Sequence, residues 1–320
     1  MCFILFVFPS IVEAQFIDSN LVNAAPQFSG QVAVCSKDSV LYSFYKGYAN
    51  YELRIPIKSN YTIELADLSM LFTIEACQDL INKKILHPDS SVSFYLKKFP
   101  YKEMKIKHLI DQSSGLPSNY IKLYHRNIYD DQNIKMKDKT SIHNSEIIKI
   151  IEDKKPILEF VPGEKKVLSK TNFIILAQII ELLYETNYEI AINRMIAKKY
   201  PTLHIFDRDQ FYGDSLFPHI SGLKKTGINE YITFENLSDL GYKYNDYTYG
   251  QQHIFGSATD LALYFEMNKE YFSSIFTSPI SGYAAGFHST LYYDKNKTIV
   301  ILSNTSDEYD NKLLLKELTK

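Results

Sequence analysis

Residues 64–73 read ELADLSMLFT and lead into IEACQDLINKKIL, an apolar stripe at helical spacing. Asp67, Ser69 and Met70 stand at its start. A nucleophile at a helix N-terminus can attack a carbonyl when a basic side chain one turn on takes its proton. At that spacing this chain offers a carboxylate, which is a poor acyl acceptor, and a thioether, which takes no proton. Ser69 lies two residues past Asp67, about 200° round a helix, so it faces away. Two serines elsewhere do precede a lysine by three residues. In Ser43-Phe44-Tyr45-Lys46 the pattern is that of a strand, where the two side chains point to opposite faces. Ser221-Gly222-Leu223-Lys224 contains a glycine and has no helical periodicity around it. The eight histidines show neither HExxH nor close pairing, so neither a metal site nor a cofactor is expected.

The elements that must position these residues alternate in type along the chain. QVAVCSK (31–37) alternates like a strand, Lys37-Asp38 suits a hairpin turn, and SVLYSFYKGYAN follows as a second strand. From Asp67 to Lys84 the period becomes helical, with Met70, Ile74, Cys77 and Ile81 in one stripe. IKHLIDQ (106–112) predicts a short helix ending at Ser114-Gly115-Leu116-Pro117. Further helices are expected from Ser145, over TNFIILAQIIELLY (171–184), which is apolar nearly all round, and over 188–199. Residues 200–250 read as irregular. Ser257 and Asp260 spell a capping box before LALYF. Strands return in FHSTLYYD and TIVILSN, and a helix over about 308–319 closes the chain. The expected fold is therefore α+β: an antiparallel sheet from the N- and C-terminal parts, flanked by helices, with a mainly helical insertion. The sheet part is placed at about 27–65 and 270–320, the helical part at about 66–265, and the whole domain at 27–310.

Composition narrows the function classes. Thirty-five basic residues balance 37 acidic ones, and there is no basic tract, so nucleic acid is not an expected partner. The start, MCFILFVFPSIVEAQF, is apolar, and Val12-Glu13-Ala14 before Gln15 resembles a signal-peptidase site. Residues 1–14 are expected to be a signal peptide and the rest an exported chain, periplasmic or secreted. No other run approaches the ~20 apolar residues of a spanning helix. Cys2 would leave with the leader, and Cys35 and Cys77, in a strand and a helix pattern, read as two free core thiols.

Five phrases in order carry a resemblance: GYAN (47–50), LIDQSSGLP (109–117), FVPGEKKVLSKTNFIILAQIIE (160–181), FGSATDLALYF (255–265) and ISGYAAGFHSTLYYDKNKTIVILSN (280–304). Together they resemble the serine beta-lactamase and penicillin-binding-protein superfamily, in particular the class C beta-lactamases and their esterase and peptidase relatives. The resemblance implies the beta-lactamase/transpeptidase-like fold. It also implies a site built from a serine and lysine in S-x-x-K, a tyrosine in Y-S-N, and a lysine or histidine before a glycine on the last strands. Phe72-Thr73 sets the register, which places Asp67 at the nucleophile and Met70 at the lysine. Leu168 stands for the tyrosine, Lys170 for the asparagine and Ile280 for the third-motif cation, while Gly282 is kept. Lys225-Thr226-Gly227 spells the third motif but in the wrong chain order.

None of the implied catalytic groups is intact, so the resemblance points to a binding or regulatory pseudoenzyme of the cell envelope. Its expected partner is an envelope peptide, an acyl ligand or a protein. The alternatives are an active serine hydrolase with a rearranged site and a redundant paralogue. Asp67 either caps its helix, as aspartates do, or forms an ion pair with Lys170 across the cleft. Leu168 and Ile280 are expected to make the remaining walls apolar. Gln112, Ser113, Gly282 and Tyr283 are the candidate binding residues, Tyr283 as the second backbone donor of the oxyanion hole.

Overall fold

The alternation in QVAVCSK becomes β1 (Gly30–Ser36), and the following run becomes β2 (Ser39–Lys46). The C-terminal strands are β3 (Ile280–Ala284), β4 (Phe287–Tyr293) and β5 (Thr298–Ser303). The computed structural model describes residues 19–320 apart from 38, 119–140, 197–199, 201, 206–218, 228–229, 234–244, 248, 285 and 306–307. The expected leader thus lies outside the described residues.

The five strands form one antiparallel sheet in the order β3-β4-β5-β1-β2, so the two ends of the chain meet at the β1–β5 pair. This is the α+β arrangement expected. Both faces of the sheet are covered, and the side-chain period of two sorts the strand residues between them. Ala33, Cys35, Leu291, Val300 and Leu302 join the main core. Val32, Val34, Phe44, Ile299 and Ile301 join a smaller one with Leu21, Phe28 and Leu314. Val32 pairs with Ile301 and Ala33 with Val300, so each cross-strand pair serves one core.

The main core is completed by α1 (Met70–Asn82), α2 (Lys170–Tyr184) and α3 (Ala258–Met267). Phe173 to Ala177, Ile179 and Ile180 are all buried in α2, which explains a sequence that is apolar nearly all round. On the other face, α4 (Glu308–Leu318) buries Leu314. Further helices occupy Ile106–Ile110, Asn144–Lys154 and Tyr188–Ile196. Gln31, buried in β1, ties the layers together. Its amide donates to the carbonyls of Lys58 (2.9 Å) and Tyr61 (2.8 Å), and its oxygen accepts from the Ala258 N–H (3.0 Å) at the start of α3.

Three expectations need correction. Residues 200–250 are not wholly irregular. Leu223–Gly227 and Glu230–Thr233 form a hairpin, and His204–Ile205 joins Ile63–Glu64 and Ile254–Gly256 in a three-stranded sheet. Strands of two to five residues are too short to display a period, and their partners define them. Ser257 and Asp260 make only half of a capping box. The Ser257 hydroxyl accepts from the Asp260 N–H (3.1 Å), but the Asp260 carboxylate turns to the Thr202 N–H (2.9 Å) and hydroxyl (2.7 Å). The helix expected from Asp67 begins as a 3-10 turn, Ala66–Ser69, before α1 proper. Both Cys35 and Cys77 are free and buried, as expected.

The ring of Phe72 in α1 stacks on Tyr264 of α3, with centroids 4.4 Å apart and planes 10° from parallel. The Tyr264 hydroxyl donates to Glu75, again on α1. Phe72→Ala therefore opens a cavity between two core helices. It should cost ~3–5 kcal/mol, measured as a lower urea midpoint with an unchanged slope; a loss under ~1 kcal/mol would mean the helices are not held there.

Candidate functional site

The site forms where the 3-10 turn Ala66–Ser69 is pressed against β3, the edge strand of the main sheet. Ala66 enters the turn at φ 50°, in the left-handed region, and is fully buried. A non-glycine residue there costs about 1–2 kcal/mol, so the surrounding packing must hold it. A Cβ on Gly282 would lie 2.4 Å from the Asp67 Cβ and 2.6 Å from the Asp67 backbone nitrogen. Glycine is thus required at 282 by the close approach of this chain's own turn, before any ligand is considered.

Asp67 and Lys170, 103 residues apart, meet in this corner. The Lys170 Nζ donates to the Asp67 Oδ1 at 2.6 Å. Asp67 is 6% exposed, and the Lys170 side chain keeps 29% of its surface in water. The carboxylate also accepts from the backbone N–H of Tyr283 and the side chain of Gln252. Burial holds the Asp67 carboxyl above the usual carboxylate range, against the opposing pull of Lys170 and these hydrogen bonds. Of the two readings of Asp67, the ion pair is the one formed. Neither end of the 3-10 turn is capped by a side chain.

Lys170 is placed by a braced segment. Its N–H donates to the Ser118 hydroxyl (3.2 Å), and the Thr171 hydroxyl donates to the Pro117 carbonyl (2.6 Å). Gln112, buried at φ 63°, accepts from the Ser169 N–H (3.1 Å) and the Asn172 amide (2.8 Å), and its own amide donates to the Leu109 carbonyl (2.8 Å). Ser114 donates to the Asn172 Oδ1 at 2.6 Å. Ser113 donates to Asp111 at 2.6 Å, and its carbonyl accepts the Gly163 N–H at 2.8 Å. All the described polar contacts of Gln112 and Ser113 are therefore internal, and they fix the start of α2 under Lys170.

The other positions scatter. Met70 (1% exposed) and Ile280 (7%) belong to the main core, whereas Leu168 is 42% exposed and does not make a buried apolar wall. Tyr283 projects its ring outward, following the alternation of β3, so its N–H is the part held in the corner. Ser69 is fully buried and accepts from the Ile254 N–H at 3.2 Å. Ser43 and Lys46 lie on β2, and Lys46 donates to the Pro26 carbonyl at 2.6 Å. The His288 ring meets the Asn311 amide at 3.0 Å, beneath α4. Gln252 was missed: besides Asp67 it bonds the Tyr283 carbonyl at 3.2 Å. No spacing rule points to it, because it is brought in by a loop and not by a periodic element.

A helix start docked on the edge strand of a five-stranded antiparallel sheet fits the beta-lactamase/transpeptidase-like fold that the resemblance implied. The chain belongs to the Beta-lactamase family, whose model matches residues 19–273. Over 155 residues, 48% of this chain, it is 33% identical to a penicillin-binding protein of Bacillus subtilis; the aligned stretch spans 32% of that protein's length. Among solved structures it resembles the octameric penicillin-binding protein homologue from Pyrococcus abyssi (TM-score 0.72, 19% identity, 95% of this chain and 75% of that one). It also resembles a penicillin-binding protein from Bacillus halodurans (TM-score 0.71, 16% identity, 93% and 98%). At these identities the structural likeness shows the fold.

Two outcomes test the corner. Lys170→Ala leaves the Asp67 carboxylate buried without its cation and should cost ~3–5 kcal/mol at neutral pH. A carboxyl whose folded pKa is raised binds its proton more tightly in the native state, so stability falls as pH rises through the window between the unfolded and folded values. Removing Lys170 extends that window upward, and the deficit should shrink at pH 4. Adding Asp67→Ser should abolish this pH dependence, read by urea denaturation at both pH values. Gly282→Ala should cost at least ~1–3 kcal/mol through overpacking, seen as a lower melting temperature; an unchanged value would contradict the close approach.

Proposed function

We propose that this chain is a non-acylating member of its family that acts by binding, exported to the cell envelope behind a leader of residues 1–14, with residues 27–310 as its working domain. The observation that carries the reading is the occupant of the nucleophile position. Asp67 stands where the resemblance puts the attacking serine, and its carboxylate already holds both the nearby cation, Lys170, and the backbone donor of Tyr283.

An acyl ligand needs that donor for its developing oxyanion. Here a resident carboxylate competes for it, so a reactive acyl group finds neither a nucleophile nor a vacant hole. Met70 and Ile280, at the positions implied for the base and the third-motif cation, are buried apolar side chains. Losses among groups that act as a unit do not add, and the first removal already costs several orders of magnitude in rate. The surface left for recognition is the edge strand with the exposed ring of Tyr283, which suits an extended envelope peptide or a protein segment laid beside it.

The test is covalent labelling. Incubated with a fluorescent penicillin and a fluorophosphonate ester, the purified chain should show no added mass. Labelling of any serine would overturn the proposal in favour of a rearranged hydrolase. Combined restoration by Asp67→Ser, Met70→Lys, Leu168→Tyr and Ile280→His, judged by the same probes, asks how much acylating geometry the scaffold retains.

A further inference from the structure

Away from this corner, the short hairpin that follows β2 builds a second concave surface. Its strands are Tyr48–Asn50 and Ile55–Pro56. The turn between them is closed by the Asn50 side chain, which accepts the Leu53 N–H at 2.8 Å, and by an Arg54 N–H to Tyr51 carbonyl bond of 3.3 Å. Arg54 sits at φ 54°, a left-handed conformation that non-glycine residues seldom adopt. In that conformation its guanidinium carbon lies 4.5 Å from the ring centroid of Tyr51 and 5.2 Å from that of Tyr48. Tyr51 in turn meets Tyr231 edge-on, with centroids 5.4 Å apart.

These residues line a cavity of about 260 Å³, with Ser29 and Leu223 also in its wall. Two features set it apart from an ordinary surface dimple. Among the described residues the Arg54 guanidinium has aromatic faces beside it but no carboxylate in salt-bridge range. The Ser29 hydroxyl is buried without a hydrogen-bond partner. A planar cation with its fork of donors unclaimed, set among tyrosine rings, matches the bidentate geometry of a carboxylate. The rings offer faces and edges to a flat apolar body. The volume lies just below the ~300–1,000 Å³ of drug-sized sites, which selects a guest with a single ring.

We propose that this cavity is a binding site for small monocyclic aromatic carboxylates. Arg54 clasps the carboxylate, and Tyr48, Tyr51 and Tyr231 pack the ring. The site is independent of the Asp67 corner and stands whether or not that corner acylates.

The experiment titrates the full chain with 4-hydroxyphenylacetate, followed by calorimetry and saturation-transfer NMR. Its neutral amide and plain acetate serve as controls. A saturable Kd on the order of 1 mM or tighter is expected for the acid, with the amide and acetate each weaker by about tenfold or more. Arg54→Gln should weaken the acid by about tenfold while leaving the melting temperature in place, because Arg54 is exposed. Tyr231→Ala should weaken it as well. Absence of saturation at ~10 mM, an amide that binds as well as the acid, or affinity unchanged in Arg54→Gln would each overturn the proposal; the first two do not depend on any variant folding.

Discussion

The corner where the helical layer meets the sheet depends on one buried ion pair. Taking a carboxylate out of water costs several kcal/mol even after relaxation, and Asp67 is almost wholly enclosed. It stays because its acceptors are filled by a lysine, a backbone N–H and an amide side chain. Lys170 keeps part of its surface wet, so its remaining donors reach solvent. The pair joins the first residue of α2 to the turn before α1, and the carboxylate carries the link on to β3. Three elements distant in sequence are thus fixed by the hydrogen bonds around one side chain.

A second polar network holds that pair in place. Gln112, Ser114 and Asn172 satisfy one another inside the helical layer, and Gln112 also holds the Ser169 N–H one residue before Lys170. A buried network with its members paired is rigid and specifies one arrangement. Gln112 and Ser113, which the sequence marks as cleft residues, spend their polar groups on this support. A reactive group demands the same conditions of its surroundings as a buried ion pair: fixed donors and little water. The scaffold supplies those conditions to Asp67.

Strands β1, β2, β4 and β5, the helices α1 to α4 and the meeting of the two chain ends were legible in the sequence, because strands of six to eight residues and helices of ten or more display their periods, whereas the five-residue β3 was marked only by the resemblance. The Asp67–Lys170 contact was legible only as one of two alternatives. It rests on two opposite charges placed by the resemblance, not on any local pattern. Leu168 went the other way: an apolar residue at an inward position in the resemblance lies exposed, and hydrophobicity alone does not say which side of a loop faces out. Gln252 and the short strands at Ile63–Glu64, His204–Ile205 and Ile254–Gly256 were not legible. Their placement follows from pairing partners far along the chain.

The two thiols in the main core carry a consequence of their own. Cys35 lies on β1 and Cys77 on α1, both fully buried, and burial pushes the Cys35 thiol up to about 12 and that of Cys77 higher still. The thiolate is the form that reacts with oxidants and attacks disulfides. Withdrawn from it, both sulfurs behave as plain apolar filler. Cys35 and Cys77 therefore stay reduced whether the surroundings of the folded chain are reducing or oxidising.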